Sequence, residues 1–477
     1  MTAFLAIVKL TCRSAVRSHV FRFLLILLLL SIFLLPFTLL SDGTPKGEVQ
    51  IFLQYCLGFA GFILFLSSVW LVCSEVCSDV VSAQIHMIAV KPVRRAVVLL
   101  GKYTGVVLIH LALLLIAAVT VYVFLSVRLA SSGISEEDRA MLDEKVLTAR
   151  ALYRPVRPDF DAMAWQKLEN RLATAKGHGQ ELIQYQDGDV RQQAFLEIRK
   201  ELVATYGLVS SGDSIVWYFE GLPKRLKEDD MVFLRYTVYV NRYYTYDQNT
   251  IHGSWLFSVN YTRPEDNGGE TVVSNLITMQ EEEILTAVQN EMAVPVKNSY
   301  FVYDGKAQVG FLNSDTKTSE LNFEEGKGPF LLIREAGFFS NYCRAILVLA
   351  VGILSVTLLA AAVAACMSLP IAIFFSAAYM LTGGLATYIV TTIPDAVDFQ
   401  APYTDTFGYK FGKVLLELLV PLQDFFVTGQ LANGELVSFP FIGMLFAKDF
   451  VLRLLPIFLL GAWIYTRREL ALVSKRG

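Results

Sequence analysis

Six apolar runs, each near the ~20 residues that a helix needs to cross a bilayer, are spaced along this chain. They are Phe23–Leu40, Ile51–Cys73, Tyr103–Val127, Ala345–Cys366, Ile371–Val390 and a last one around Phe450–Tyr465. A length of 477 residues would otherwise suggest about three soluble domains, but 54% hydrophobic content favours segments dissolved in lipid over one water-soluble core. The pattern predicts a polytopic α-helical membrane protein of about six spanning helices. Lys9, Arg13, Arg17 and Arg22 precede the first run as they would in a secretory signal peptide. Its apolar stretch is long for that role, and further spans follow, so it reads as a retained helix.

The charge is unevenly spread. Ser131 to Ser340 carries about −10 of a total of −3, which leaves the apolar parts clearly basic. The net balance argues against nucleic acid as a partner. Basic residues cluster at Lys9, Arg13 and Arg17, at Lys91, Arg94, Arg95 and Lys102, and at Arg467, Arg468, Lys475 and Arg476. With six spans all three clusters fall on one side, which the positive-inside rule makes the cytoplasm. The expected location is the cell (inner) membrane, multi-pass, with both termini cytoplasmic and the acidic insertion outside.

The segments then read as follows. Residues 1–22 form a cytoplasmic interfacial helix, with Lys9, Arg13 and Arg17 in a basic stripe beside Phe4, Leu5, Val8, Cys12 and Val16. Residues 23–127 hold the first three spans and a cytoplasmic coupling segment, 74–102, in which Val81, Ile85 and Ile88 make an apolar helix stripe ended by Pro92. Residues 128–340 form a large α+β extracytoplasmic insertion. Its first part, 136–206, has helical spacing broken near Pro155 and Pro158. Its second, 215–333, has seven short aromatic and β-branched runs, Ile215–Phe219, Met231–Val240, Ser254–Tyr261, Thr271–Thr278, Tyr300–Tyr303, Ala307–Leu312 and Phe330–Ile333. This predicts a helical hairpin plus β-sandwich. Spans four and five occupy 341–390. In 391–449 the apolar Val414–Val420 is short and ends at Pro421, so an external or re-entrant helix is expected. The last span and cytoplasmic tail fill 450–477.

Reactive groups are sparse. None of the six cysteines lies between Ser131 and Ser340, so no disulfide can staple the insertion. Cys73 and Cys77 share a helix face with only His86 in reach along the sequence, which suits membrane packing better than a metal site. His110 lies inside the third run without a carboxylate one turn away, and is expected neutral and hydrogen-bonded to a neighbouring helix. His178 and His252 are isolated, and Glu281, Glu282 and Glu283 read as a solvated helix start. No Gly-x-x-x-x-Gly-Lys-Ser/Thr phosphate cradle occurs, and Gly268-Gly269-Glu270-Thr271 lacks its lysine, so ATP hydrolysis is assigned to another polypeptide. Gly-x-Ser-x-Gly and His-Glu-x-x-His are also missing, and no enzyme activity is expected.

Leu5-Ala6-Ile7-Val8-Lys9-Leu10-Thr11 with Arg17-Ser18, the turn Lys91-Pro92-Val93-Arg94-Arg95 with Leu100-Gly101-Lys102, and the terminal Arg467-Arg468-Glu469-Leu470 together resemble the ABC type-2 (export-type) transporter permease family. The nearest likeness is to its branch annotated for multi-copper enzyme maturation. The likeness covers residues 1–127 and 341–477, and the long insertion departs from compact members. It implies a permease subunit without a cofactor of its own, ATP bound by a separate ABC ATP-binding subunit, and a partner permease that is a second copy or a paralogue. Carried over, Glu75, Lys91, Pro92, Arg94 and Arg95 would form or flank the ATPase contact. Membrane lipid and, from the size and position of the insertion, an extracytoplasmic protein are the other expected partners. The alternative reading is a membrane-anchored extracytoplasmic binding or scaffold protein without transport activity.

Overall fold

The structure, a computed structural model, describes residues 2–38, 43–81, 93–130, 134–177, 188–224, 231–240, 250–264, 270–295, 297, 301–315, 320–324, 326–392, 417 and 419–467. The helices are α1 (Thr2–Arg17), α2 (His19–Thr38), α3 (Pro45–Val81), α4 (Arg95–Ala130), α5 (Glu136–Lys145), α6 (Phe160–Gly177), α7 (Gly188–Thr205), α8 (Phe338–Cys366), α9 (Leu369–Thr392), α10 (Thr428–Ala432), α11 (Phe439–Leu445) and α12 (Leu455–Arg467). A 3-10 turn at Leu422–Phe425 precedes α10, and a π-helical stretch, Phe446–Leu454, joins α11 to α12. The strands are β1 (Thr148–Tyr153), β2 (Leu208–Ser210), β3 (Ser214–Phe219), β4 (Val232–Thr237), β5 (Tyr239–Val240), β6 (Thr250–Pro264), β7 (Glu270–Leu285), β8 (Gln289–Ala293), β9 (Ala307–Asn313), β10 (Glu320–Asn322) and β11 (Phe330–Gly337). The chain divides into two compact units, Met1–Ala149 with Ala336–Gly477, and Arg150–Glu335.

The first unit is helical. Among the described residues α3, α4 and α8 are long and apolar enough to cross a membrane, and α1 with α2, bent by 65°, makes a fourth such segment if counted as one. Helices also occupy the other runs read from the sequence, but α9 contributes a shorter apolar stretch, Leu369–Leu385, and the last run is divided by its π turn. That last helical ribbon begins earlier than residue 450: Ser438 caps α11 by accepting from the Phe441 amide at 3.3 Å, with Pro440 in the first turn.

α3 and α4 are antiparallel and meet along their full lengths. Arg128 pairs with Glu48 at 2.5 Å, Phe124 stacks on Phe52 at 5.3 Å, His110 bonds Ser67 at 3.0 Å, and the Lys102 ammonium donates to the Glu75 carbonyl. Each step down one helix is matched by an equal step up the other. α8 lies against both. Tyr342 donates to the Ala118 carbonyl at 2.7 Å, Tyr103 to Leu354 at 3.3 Å, and the Cys73 and Cys77 thiols point at the Ala360 and Ala364 carbonyls at 3.8 Å. The two cysteines therefore use their shared face to pack on α8.

α1 ends at Arg17, where the Ser18 amide closes on Ala15 and the Ser18 hydroxyl caps α2 through the Phe21 amide, so the boundary falls at residue 18 and not at 22. The face that α1 buries differs from the stripe expected. Val8, Thr11 and Ala15 are buried, whereas Leu5 and Val16 are about half exposed. The cause lies on α4: a Cβ at Gly101 would sit 2.8 Å from Ile7, and one at Gly105 2.8 Å from Thr11. Small residues on both helices let the backbones approach, as in small-x-x-x-small packing. Lys9, Arg13 and Arg17 remain exposed.

The second unit is built around aromatic side chains. Antiparallel pairings give three sheets, β1-β11-β4-β8, β2-β10-β5 and β3-β9-β6-β7. Trp217, Trp255, Tyr236, Phe311 and Phe323 share one core. α6 and α7 have a smaller core of their own, with Leu168, Phe195 and Ile198. The inferred helical stretch 136–206 is interrupted: 148–153 is strand β1, because Pro155 and Pro158 hold the following backbone extended, and α5 belongs to the first unit. Glu281, Glu282 and Glu283 lie within β7, paired to β6, and do not start a helix. Of the run Tyr300–Tyr303, Tyr300 lies outside the described residues, and 301–303 form no strand of the sheets; Tyr303 enters a tight turn in which Asp304 and Gly305 both have positive φ, the Asp-Gly signature of a type I′ turn. β1, β2, β8 and β10 had no apolar run to announce them, and the single run Met231–Val240 is divided between β4 and β5.

One buried ion triad stitches the first of these sheets. Glu291 on β8 binds Arg150 on β1 at 2.7 Å and Arg235 on β4 at 3.0 Å. Burial alone would raise the Glu291 carboxyl, but the two guanidiniums outweigh it and hold it below the usual carboxylate range. The triad's stabilisation is therefore present above the unfolded carboxylate pKa and lost as pH falls through the folded value.

The close approach of α1 yields a direct test. Gly105→Leu should lift α1 from α4, and maleimide should then label Cys12, in a background lacking the other cysteines, at least about tenfold faster. Unchanged labelling would mean that α1 is held elsewhere.

Candidate functional site

The sequence-selected residues meet at one end of the α3–α4 pair. Glu75 sits six residues before the end of α3; its side chain accepts from the Ser14 hydroxyl of α1 at 3.1 Å, and its carbonyl receives the buried Lys102 ammonium of α4. One residue thus ties three helices. Arg94 opens α4, its carbonyl accepting from the Val97 amide at 2.9 Å, and its side chain is exposed; Arg95 is the first helical residue. The positive end of a helix dipole disfavours cations by about 0.3–1 kcal/mol each, so local helix energetics do not explain this pair. Lys91 and Pro92, with the rest of 82–92, lie outside the described residues. Lys9, Arg13 and Arg17 project from the exposed side of α1, with Arg17 one turn from the Ser14–Glu75 contact.

His110 lies midway along the same helix pair and is buried. Its Nδ1–H donates to the Val106 carbonyl at 2.9 Å, which leaves Nε2 to accept from Ser67 at 3.0 Å. This is the arrangement of a neutral imidazole bonded across two helices. Among the described residues no carboxylate bonds it.

A second polar centre surrounds the π turn, and the sequence reading gave it no role. Pro456 cannot donate to Leu452, and its ring would crowd that carbonyl, so the ribbon widens just upstream. Within the widened stretch the buried Asp449 carboxylate binds Arg453 at 2.6 Å. The segment before it, 419–438, folds back among the long helices. Phe425 meets Phe65 edge-on at 6.4 Å and lies over Gly352, where a Cβ would be 3.0 Å from it. The Val420 amide donates to the Tyr379 hydroxyl at 3.1 Å, and the Val420 carbonyl lies 2.3 Å from the Cβ position of Gly383. Gln50 bonds Asn433 at 3.2 Å, and the Asn341 side chain bonds the Glu435 carbonyl and Val437 amide at 2.7 and 2.8 Å. Irregular backbone at the level of Phe65, midway along α3, is tolerable in an apolar surround because the helices bury and bond it. The available sequence signal was a Lys-Asp-x-x-x-Arg string inside an otherwise apolar run.

Searches against family models, curated proteins and solved structures find no match.

The buried pair has a measurable signature. Arg453→Met should destabilise the protein by about 3–5 kcal/mol by stranding the Asp449 carboxylate, while Asp449→Asn with Arg453→Met should recover most of that loss. Thermal unfolding of the detergent-solubilised variants checks the order. Equal losses in the single and double variants would show that the pair is not coupled.

Proposed function

We propose that this chain is the membrane-spanning permease subunit of an ATP-driven exporter, worked by a separate ATP-binding subunit. The observation that carries the reading is the joint at Glu75. α3 and α4 are zipped from Glu48–Arg128 to Glu75–Lys102, and the Glu75 end is clamped by α1. Force applied to the short connection between these helices would move them as one body. Arg94 and Arg95 stand there against the helix dipole, which fits basic residues kept for the cytoplasmic leaflet or for an acidic surface on a partner.

In this reading six spans place both termini and the Glu75 end in the cytoplasm, α1 lies on the inner leaflet with Lys9, Arg13 and Arg17 toward lipid phosphates, and the 150–335 unit stands outside. A second permease chain, identical or paralogous, completes the pore. Glu75, Lys91, Pro92, Arg94 and Arg95 face or flank the ATPase. The resemblance to export-type permeases supplies the reaction class, and the joint supplies a mechanical route. The rival reading, an anchored binding or scaffold protein, draws on the self-contained aromatic core of the Arg150–Glu335 unit.

Purification of the tagged protein in mild detergent distinguishes them. Wild type should bring down an ATPase, and Arg94→Glu with Arg95→Glu should lose it, while Arg94→Glu alone, at an exposed side chain, should weaken the association at unchanged thermal stability. Intact protein that never retains an ATP-binding chain, but does retain an extracytoplasmic protein, would favour the anchored scaffold.

A further inference from the structure

The sheet β3-β9-β6-β7 ends at β3 on one side and at β7 on the other. An outer strand presents a row of backbone N–H and C=O groups to whatever lies beside it, and proteins cover or defend such edges. The two edges of this sheet are treated differently. Along β3 the chain that follows β1 lies close, the Val156 amide donating to the Tyr218 carbonyl at 2.7 Å. Among the described residues no strand pairs the far side of β7.

β7 also outruns the rest of its sheet. β9 accompanies β6 only from Gly253 to Phe257, whereas β7 accompanies it from Thr250 to Pro264. Beyond Ser258, whose hydroxyl accepts from the Gln308 amide at 3.3 Å, β6 and β7 run on among the described residues as a two-stranded ribbon. Two strands alone are marginally stable in water, and a third strand is what ordinarily supports them. Where the ribbon begins, Leu276 and Ile277 are consecutive and so belong to opposite faces, yet they are 68% and 42% exposed.

Charge indicates which kind of strand fits. β7 carries Glu270, Glu281, Glu282 and Glu283 and no lysine or arginine. A second copy of the chain laid along it would double these glutamates in one seam, and like charges facing each other across strands are destabilising. The last three coincide with a bulge: Gly253 pairs Glu281 and Ile251 pairs Ile284, so β7 takes three steps against two on β6. A bulge interrupts regular pairing. A strand added beside β7 would therefore occupy the stretch before the bulge and finish at the glutamates.

We propose that the β7 edge receives an extended segment of a partner polypeptide, added antiparallel, with β-branched residues beside Leu276–Thr278 and lysine or arginine at its N-terminal end beside Glu281–Glu283. Antiparallel is the sense of the β6–β7 and β6–β9 pairings, and it brings the start of the added strand to the glutamate end of β7. Main-chain bonds supply the affinity, and the glutamates select the partner. The inference stands on the Arg150–Glu335 unit alone and does not depend on the permease reading.

Fluorescence anisotropy of a labelled peptide with the full chain in neutral detergent tests it. The peptide, about nine residues long, has three lysines followed by alternating threonine and valine. It should bind with a Kd below about 100 μM, and Glu281→Lys with Glu283→Lys should weaken it at least about tenfold. Leu276→Lys, at an exposed side chain, should weaken it as well without moving the thermal transition. Two control peptides, one with glutamates for the lysines and one with proline at every second position of the threonine–valine part, should each bind at least about tenfold more weakly. Equal binding of either control or of a peptide of lysines alone, affinity unchanged in the lysine variants, or no binding at all would overturn the proposal. Self-association of the peptide-free chain that Leu276→Lys abolishes would give the edge to a second copy, and would overturn it too.

Discussion

Antiparallel contact between α3 and α4 organises the helical unit. An ion pair, an aromatic stack, an imidazole–hydroxyl bond and an ammonium–carbonyl bond occur in sequence along it, one near each end and two between. In an apolar surround, where hydrophobic attraction between helices is weak, such polar and close-packed contacts decide which faces meet. α8 then fits the groove they form: its backbone carbonyls take Tyr103, Cys73 and Cys77, and its own Tyr342 donates to the Ala118 carbonyl of α4. Gly101 and Gly105 admit α1 at one end of the pair. Glu75 is where these constraints converge, and a disturbance there reaches three helices at once.

Much of this was legible in the sequence because apolar runs of span length have few alternatives. The long helices lie where the runs predicted them, whereas Glu75, Arg94 and Arg95 were singled out by the resemblance to export-type permeases. The buried face of α1 was not legible, because it is set by glycines on a helix about ninety residues away and not by its own apolar stripe. The π turn escaped for a related reason: periodicity describes which residues are apolar, not how Pro456 alters the hydrogen-bond step upstream. In the β-rich unit, runs of aromatic and branched residues marked the core strands. The short edge strands and β1 were hidden because polar residues such as Arg150 and Glu291 carry their pairing, and the extra length of β7 was hidden by three glutamates.

Asp449 and Arg453, to which the sequence reading gave no role, lie in the last apolar ribbon beside backbone that folds back among the helices. A charged pair in so apolar a run is tolerable because each member neutralises the other and the surrounding helices bury them.

The account depends on the Glu75 end of the helical unit and the β-rich unit facing opposite compartments. Single cysteines at Arg94 and at Tyr218, both exposed positions, can be introduced into a protein lacking its six native cysteines. They would then be probed with a membrane-impermeant maleimide on sealed, right-side-out vesicles. The account predicts rapid labelling at 218 and labelling at 94 only after the membrane is opened. Labelling of both positions from the same side would contradict it, because a motor on the cytoplasmic face and a domain outside could not then belong to one spanning protein.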